Sequence, residues 1–246
     1  LFTDPMFWPI FRNTIVISLL KLAFSFPLPI LFALALNEMK HQGIKRVVQT
    51  VSYLPHFLSW VIVHGILVSF LNSNNGVINQ LLLSLGLIES SLPFLSSPQF
   101  FWGVATVSDI WKEMGWWAII FLAAIAGVDV SMYEAAIVDG ASRMQRMFYI
   151  TLPSIRPTIV VVLILSLGNL LGGGLGGSNF EQSYLLGNAS NNSTSQVLQT
   201  YTLEIGLVNG RFSFAAAVGL VQSLISVMLV TISNFVAVKT SGTGLF

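Results

Sequence analysis

Five apolar segments, each about as long as a bilayer crossing, constrain the fold of this chain most strongly. A transmembrane helix needs about 20 apolar residues, and such segments occur at Asn13–Leu36, Leu54–Leu71, Phe101–Val128, Pro157–Leu175 and Phe214–Val238. Only 9% of the residues are charged, whereas soluble domains carry about 25%. Because lipid offers no partner for backbone polar groups, we expect helices rather than an open sheet. The sequence therefore predicts an all-α integral membrane protein folded as a polytopic helical bundle.

The distribution of Lys and Arg between the connections predicts the orientation of this bundle. Connections 37–53 and 129–156 and the tail carry most of the cations, whereas connections 72–100 and 176–213 carry only Arg211. Cations favour the cytoplasmic side, so connection 129–156 and the C-terminus are predicted to be cytoplasmic. The first residue then lies outside. Because no cleavable leader is evident, we expect a sixth, N-terminal helix to precede this sequence.

A polar interruption, YEAAIVDGASRMQRMFYITLP, separates the third and fourth apolar segments. Asp129 or Ser131 can cap a first short helix, Gly140 permits a sharp change of direction, and Ala141–Tyr149 forms a second helical piece that exposes arginines. The residues alone leave two interpretations open. The segment is either an amphipathic connector resting on lipid headgroups or a docking surface for a cytoplasmic partner.

The spacing of seven residues in this segment resembles a known family motif. Glu134-Ala135-Ala136, Gly140 and Ile150-x-Leu152-Pro153 match EAA-x3-G-x9-I-x-LP at every fixed position. This is the EAA motif of permease subunits in binding-protein-dependent ABC importers. Most of the chain resembles the MalF-type sugar permeases, and within them the polysaccharide branch of LplB-like and alginate-importer permeases. Five stretches carry that resemblance: RNTIVISLLKLAFSFPLPILFALALNE, VQTVSYLPHFLSWVIV, FEQSYLL, FSFAAAVGLVQSLIS and SGTGLF.

The resemblance implies an architecture and a set of partners. Residues 1–246 would form one permease domain of the type I importer (MetI-like) kind, with 129–156 as its coupling loop. The implied partners are a second permease subunit, expected to be a paralogue, two ATPase subunits, an extracytoplasmic solute-binding protein, and the lipids of a bacterial cytoplasmic (inner) membrane. The implied coupling residues, with two arginines added from their charge and position, are Glu134, Ala135, Ala136, Gly140, Arg143, Arg146, Ile150, Leu152 and Pro153.

The chain lacks the motif that would let it hydrolyse ATP itself. It has no G-x-x-x-x-G-K-[ST], and the glycine run Gly172–Gly177 has no following Lys to reach a phosphate. We therefore expect a transport subunit without enzymatic activity or cofactor, with ATP and Mg held by the partner ATPase. The three His residues lack a second ligand at fixed spacing, so no metal site is expected. A net charge of +1 argues against nucleic acid as a partner.

Ionisable residues within the apolar segments form a second candidate site. Asp109, Lys112, Glu113 and Trp116 are spaced i, i+3, i+4 and i+7 and share one helix face, while Lys21 lies in the first segment. These charges either lie near the outer interface, with the lysines snorkelling, or line the translocation pathway. Further pathway candidates lie near the end of the fourth segment: Asn169, Glu181, Gln182 and Tyr184.

Cations in the pathway would suit a sugar that carries carboxylates. The resemblance to the polysaccharide branch implies an oligosaccharide as substrate, with an acidic one such as an alginate or pectin fragment as the finer expectation. The alternatives are a permease of the same family for another small solute, an ion-coupled secondary transporter, and a membrane glycan enzyme.

The stretch LGGGLGGSNFEQ, Leu171 to Gln182, is richer in glycine than the turn that usually precedes FEQ in the family. Its glycines leave two interpretations open, close helix packing or an irregular helix end.

Overall fold

The computed structural model of the chain describes residues 4–246, which fold into helices and turns without any strand in that range. Long helices form the bundle, and shorter helices form the connections between them. The helices are α1 Phe7–Phe24, α2 Pro27–Asn37, α3 Gln42–Tyr53, α4 Trp60–Leu71, α5 Val77–Ser84, α6 Pro98–Ala126, α7 Val130–Val138, α8 Arg143–Arg146, α9 Leu152–Ser154, α10 Arg156–Gly168, α11 Asn179–Leu186, α12 Asn192–Ser195, α13 Leu198–Leu203 and α14 Phe212–Ser241.

The number of possible crossings agrees with the five predicted segments. By length and composition, two helical units can each cross a membrane: Phe7–Asn37, in which α1 continues into α2, and α14. Three bent pairs supply up to three more, which makes five in residues 4–246 if each pair is one crossing. The prediction of an all-helical polytopic bundle is therefore confirmed.

The second predicted crossing, Leu54–Leu71, has a different internal structure from the one expected. Leu54–Phe57 forms a 3-10 turn, Ser59 is extended, and α4 begins only at Trp60. The chain bends by 105° between the two parts. Pro55 lacks the amide that a continuing α-helix needs, and the helix changes to a 3-10 turn there. The break itself falls at Ser59, whose hydroxyl accepts from the Ile62 amide at 3.3 Å as the cap of a new helix.

The fourth predicted crossing, Pro157–Leu175, is longer than the helix that the structure has there. Helix α10 ends at Gly168, a 3-10 turn follows, and a glycine corner of residues 173–177 leads into α11. Gly173, Gly174 and Gly177 all have positive φ angles, between 60° and 107°, which residues with a Cβ rarely adopt. The apolar composition of this stretch resembles that of a continuing helix, but its glycines fold as an irregular corner.

Two packing contacts hold the long helices together. A core cluster that includes Ala33 of α2, Phe121 of α6 and Val162 of α10 joins the first, third and fourth crossings. Between α10 and α14, a Cβ on Gly168 would lie 2.4 Å from a methyl of Val230. Glycine thus allows the close approach of the two helices, because an added Cβ would displace the Val230 side chain.

Candidate functional site

The motif-bearing connection begins with a helix that is exposed or half-buried along its whole length. Asp129 caps α7 by accepting from the Ser131 amide at 2.9 Å, and this hydrogen bond holds the pKa of Asp129 below its usual value. No residue of α7 is buried. Glu134 and Ala135 are exposed and Ala136 is half-buried. The surface of α7 is thus open to a partner.

Apolar side chains accompany the motif residues on this connection. Val130, Met132, Ile137 and Val138 of α7 are all at least 46% exposed, and Val138 reaches 87%. Such a group of exposed apolar side chains is typical of an interaction surface.

Gly140 forms the joint that follows α7. Its φ angle is +77°, and a Cβ placed on it would meet no atom within 4 Å. The backbone conformation, and not a lack of space, therefore requires glycine at this position. The Ala141 amide closes the joint by donating to the Ala136 carbonyl at 2.8 Å.

The second helical piece begins with a capping box between Ser142 and Gln145 and continues as a π-helical turn over Met147–Thr151. The hydroxyls of Tyr133 and Thr151 lie 2.9 Å apart and tie this piece to α7. The remaining predicted coupling residues differ in their exposure. Arg143 and Pro153 are exposed, whereas Arg146, Ile150 and Leu152 are half-buried.

The structure brings Lys21 and Asp109 together inside the bundle. Lys21 Nζ lies 3.6 Å from Asp109 Oδ1, and each side chain is only 1% exposed. Lys21 also donates to Ser178 Oγ at 2.6 Å and to Asn179 Oδ1 at 2.9 Å. The Ser178 hydroxyl in turn donates to Asp109. Gln182 joins this network within hydrogen-bonding distance of Ser178 and donates to the Ala105 carbonyl at 2.8 Å.

A second charged cluster lies at the bend between α3 and α4. Lys112 Nζ donates to the His56 carbonyl at 2.8 Å and to Glu113 Oε1 at 2.9 Å. The other Glu113 oxygen lies 2.7 Å from His56 Nδ1. The His56 ring is stacked on Trp116 at 4.3 Å between centroids, and Lys112 Nζ lies 5.5 Å from the centre of the Trp60 ring.

This cluster is more accessible than the first. The His56 side chain is 28% exposed, although that of Glu113 is only 8% exposed, and Trp116 is half-buried. Sequence reasoning missed His56 because it considered the histidines only as metal ligands. A His at the proline-marked start of a predicted crossing, together with Lys and Glu in the next crossing, was the available signal.

The other predicted pathway residues lie around the glycine corner and α11. Asn169, Glu181 and Tyr184 are exposed, and Asn169 donates to the Gly174 carbonyl at 2.9 Å. Among residues 4–246, no group of three or more His, Asp or Glu side chains could hold a metal ion.

Comparison with known proteins identifies what these elements belong to. The family model described as "Binding-protein-dependent transport system inner membrane component" matches residues 25–238. The protein LplB of Bacillus subtilis (strain 168) is 44% identical over 100% of this chain and 75% of its own length. The polygalacturonan/rhamnogalacturonan transport system permease protein YteP of the same organism is 42% identical over 100% of this chain and 74% of its own.

A solved structure shows the same fold. A chain in the crystal structure of a bacterial alginate ABC transporter, in complex with an alginate pentasaccharide-bound periplasmic protein, matches with a TM-score of 0.93 and 40% identity. The match covers 100% of this chain and 83% of that one. The MetI-like architecture and the multi-pass membrane character are thereby confirmed, and the protein is a transport subunit rather than an enzyme. The chain belongs to the family of binding-protein-dependent transport system inner membrane components and is an ABC transporter permease.

Proposed function

We propose that this permease forms half of the translocation pathway of an ATP-driven importer for oligosaccharides, and specifically for acidic ones. Two similar proteins support the substrate class: YteP is named for polygalacturonan and rhamnogalacturonan, and the similar structure is that of an alginate transporter. Both names refer to polysaccharides that contain uronic acids, whose carboxylates distinguish them from neutral sugars.

The observation that carries the substrate proposal is the cluster of His56, Lys112, Glu113 and Trp116. It combines a stacked aromatic pair with a cation and an acceptor on a partly open face. The apolar C–H face of a pyranose ring can pack on an aromatic ring, while a few placed polar groups fix its orientation. Lys112 lies beside His56 through its bond to the His56 carbonyl, and it would attract a carboxylate on exchanging its present partner Glu113 for the substrate.

The pathway proposal also includes Asn169, Glu181 and Tyr184, which are exposed around the corner and α11. It leaves out Lys21, Asp109 and Gln182, because each is at most 1% exposed and has no face to offer a passing sugar.

ATPase stimulation of the reconstituted complex tests the substrate proposal. The solute-binding protein is loaded in turn with oligogalacturonides, alginate oligosaccharides and neutral malto-oligosaccharides. We expect stimulation by an acidic series, and we expect Lys112→Met and Trp116→Ala to raise the substrate concentration for half-maximal stimulation by about tenfold, the loss of one good polar or aromatic contact. Stimulation by the neutral series alone, or unchanged half-maximal concentrations in both variants, would contradict the proposal.

We further propose that loop 129–156 couples this permease to a cytoplasmic ATPase. The docking surface would consist of Glu134, Ala135, Ala136 and Gly140, with Arg143 and Arg146 beside them. The motif resemblance, the exposure of α7 and its apolar side chains support this assignment. Ile150, Leu152 and Pro153 would set the direction in which the loop returns to α10. The second permease would be a paralogue and the loop would face the cytoplasm.

Co-purification tests the coupling proposal. Gly140→Asp adds a side chain at the joint after α7, and Glu134→Lys reverses a charge on α7. Both should reduce recovery of the ATPase with the permease by about tenfold, as expected when a central contact of an interface is lost. Glu89→Lys, a change of the same charge at an exposed residue of another connection, is the matched control. Normal recovery of the ATPase with both loop variants would refute the assignment.

A further inference from the structure

The Lys21–Asp109 pair connects three elements that are distant in sequence. Lys21 belongs to α1, Asp109 to α6, and Ser178 and Asn179, which hydrogen-bond with the pair, stand at the start of α11. The Asn179 amide also donates to Ser18 Oγ at 2.9 Å. The beginning of α11 is thus held between the first and third crossings.

Contacts along α11 show that this helix continues the fourth crossing beyond the glycine corner. Its start lies against Lys21 and Asp109, about 20 Å and about 16 Å along α1 and α6 by helical rise. Its end, Leu186, clusters with Ile17 and Phe101, which lie nearer the N-terminal ends of those two helices. Helix α11 therefore runs in the same direction as α10, toward the side of the bundle from which α1 and α6 start, and the glycine corner between them lies at the depth of the ion pair.

Irregular backbone at membrane depth is tolerated only where protein or a water-filled cavity surrounds it. Here protein side chains surround the corner closely. A Cβ on Gly176 would lie 2.8 Å from Asp109 Oδ1 and 3.2 Å from Glu113 Cγ. The corner thus packs on both charged clusters at once, and its position affects Glu113, which is hydrogen-bonded to Lys112 and His56.

The electrostatics of the site favour the same arrangement. The eight-residue helix α11 directs the positive end of its dipole toward Asp109, whose carboxylate also accepts from Ser178. Lys21 supplies the compensating charge, and its Nζ has acceptors in both Ser178 and Asn179. Removing one member of such a buried pair leaves the other unpaired and strongly destabilised.

We propose that Lys21 and Asp109 are positioning residues: they anchor helix α11 and the glycine corner before it, and through Gly176 they set the position of Glu113 in the His56–Trp116 cluster. The anchor itself stands on contacts within this chain, whereas its effect on transport rests on the pathway function proposed for that cluster. The anchor makes no contact with substrate.

Cysteine labelling tests the anchor, because the chain contains no natural Cys. In the assembled importer, Ser183→Cys places a thiol on the buried face of α11, and Tyr184→Cys places one on its exposed face. We expect Asp109→Asn and Lys21→Met to increase the rate of maleimide labelling at position 183 at least about tenfold. Labelling at position 184 should stay unchanged.

Two further variants keep the test decisive. Ser178→Ala removes the hydroxyl between the two charged groups but leaves them paired, so it should fold even if the charge variants do not, with a smaller increase in labelling. Lys40→Met removes an exposed cation and should leave labelling at the wild-type rate. If Ser178→Ala and every charge variant that assembles keep position 183 protected, the anchor is overturned.

The transport readout separates the anchor from the substrate proposal. In the anchor variants we expect a higher half-maximal substrate concentration together with faster labelling, even without substrate. In Lys112→Met we expect the concentration change with wild-type labelling. If labelling responds to the anchor variants but Lys112→Met has no effect on substrate dependence, the anchor holds and the pathway function fails. If Lys112→Met raises the half-maximal substrate concentration but the anchor variants leave labelling unchanged, the anchor alone is overturned.

Discussion

Among single residues, the bond between Tyr201 and Asp4 shows how one connection is fastened to the start of α1. Tyr201 Oη donates to Asp4 Oδ2 at 2.8 Å, and the Tyr201 ring belongs to the cluster that also contains Phe7 and Val218. The Tyr201→Phe substitution removes the bond while keeping the ring. We expect the free energy of unfolding to fall by about 1 kcal/mol and the unfolding midpoint at pH 7 by about 2–4 °C.

Differential scanning fluorimetry in detergent measures this change. Tyr149→Phe is the matched control, because Tyr149 is 79% exposed and its substitution should leave the midpoint unchanged. Equal midpoints for wild type and Tyr201→Phe at pH 7 would show that the bond contributes nothing.

The stability difference between wild type and Tyr201→Phe depends on pH, because the fold shifts the pKa values of Asp4 and Tyr201. Hydrogen bonds from the Met6 amide and from Tyr201 hold the pKa of Asp4 below its ordinary value of 3.8. The stabilisation is therefore present above that value and is lost as the pH falls through the lowered pKa. Burial and Asp4 raise the pKa of Tyr201 from 10.0 to about 12, so the stabilisation is full below pH 10 and is lost toward pH 12. The difference between wild type and Tyr201→Phe should disappear at both extremes.

Among helices, the contact between α3 and α6 depends on one glycine. A Cβ on Gly115 would lie 2.1 Å from the backbone carbonyl oxygen of Ser52, so Gly115→Ala must push the two helices apart. Overpacking of this kind costs about 1–3 kcal/mol. Because α3 leads into the bend that carries His56, we expect both a lower unfolding midpoint and weaker substrate-stimulated ATPase activity.

Gly103→Ala is the control within the same helix. A Cβ there would meet no atom within 4 Å, so the change should be neutral or stabilising by up to about 1 kcal/mol. Thermal unfolding and ATPase stimulation of the two variants are compared in the same preparation. A midpoint for Gly115→Ala at or above that of Gly103→Ala would contradict the close contact.

Helices that are determined by neighbouring residues in the sequence could be predicted, whereas those that depend on contacts with distant residues could not. The apolar runs and the capped, glycine-jointed segment before Pro153 are local patterns, and the crossings and the short helices of the coupling loop follow from them. The end of α10 at Gly168 did not follow, because Leu170, Leu171 and Leu175 continue the apolar composition past the point where the helix stops. The surrounding side chains stabilise the corner, and a local pattern contains no information about them.

Side-chain partners were the least predictable feature. The spacing of Asp109, Lys112 and Glu113 indicated a shared helix face, but their partners lie on other elements. Lys21 is far from Asp109 in sequence, and His56 is far from Glu113. Only the packing of the bundle makes one pair a buried ion pair and leaves the other beside a partly open aromatic stack.

For the whole bundle to work as a transport subunit, connections 129–156 and 176–213 must lie on opposite sides of the membrane. The motif-bearing loop would face the cytoplasm, where an ATPase can reach it, and the connection around Asn188–Gln196 would face outward. Because no natural Cys interferes, single cysteines at Ser142 and Ser190, both exposed, can test this arrangement. In intact cells, a membrane-impermeant maleimide should label Ser190→Cys but not Ser142→Cys, and permeabilised cells should label both. Labelling of Ser142→Cys in intact cells would place the coupling loop outside, where no nucleotide-hydrolysing partner could drive the importer.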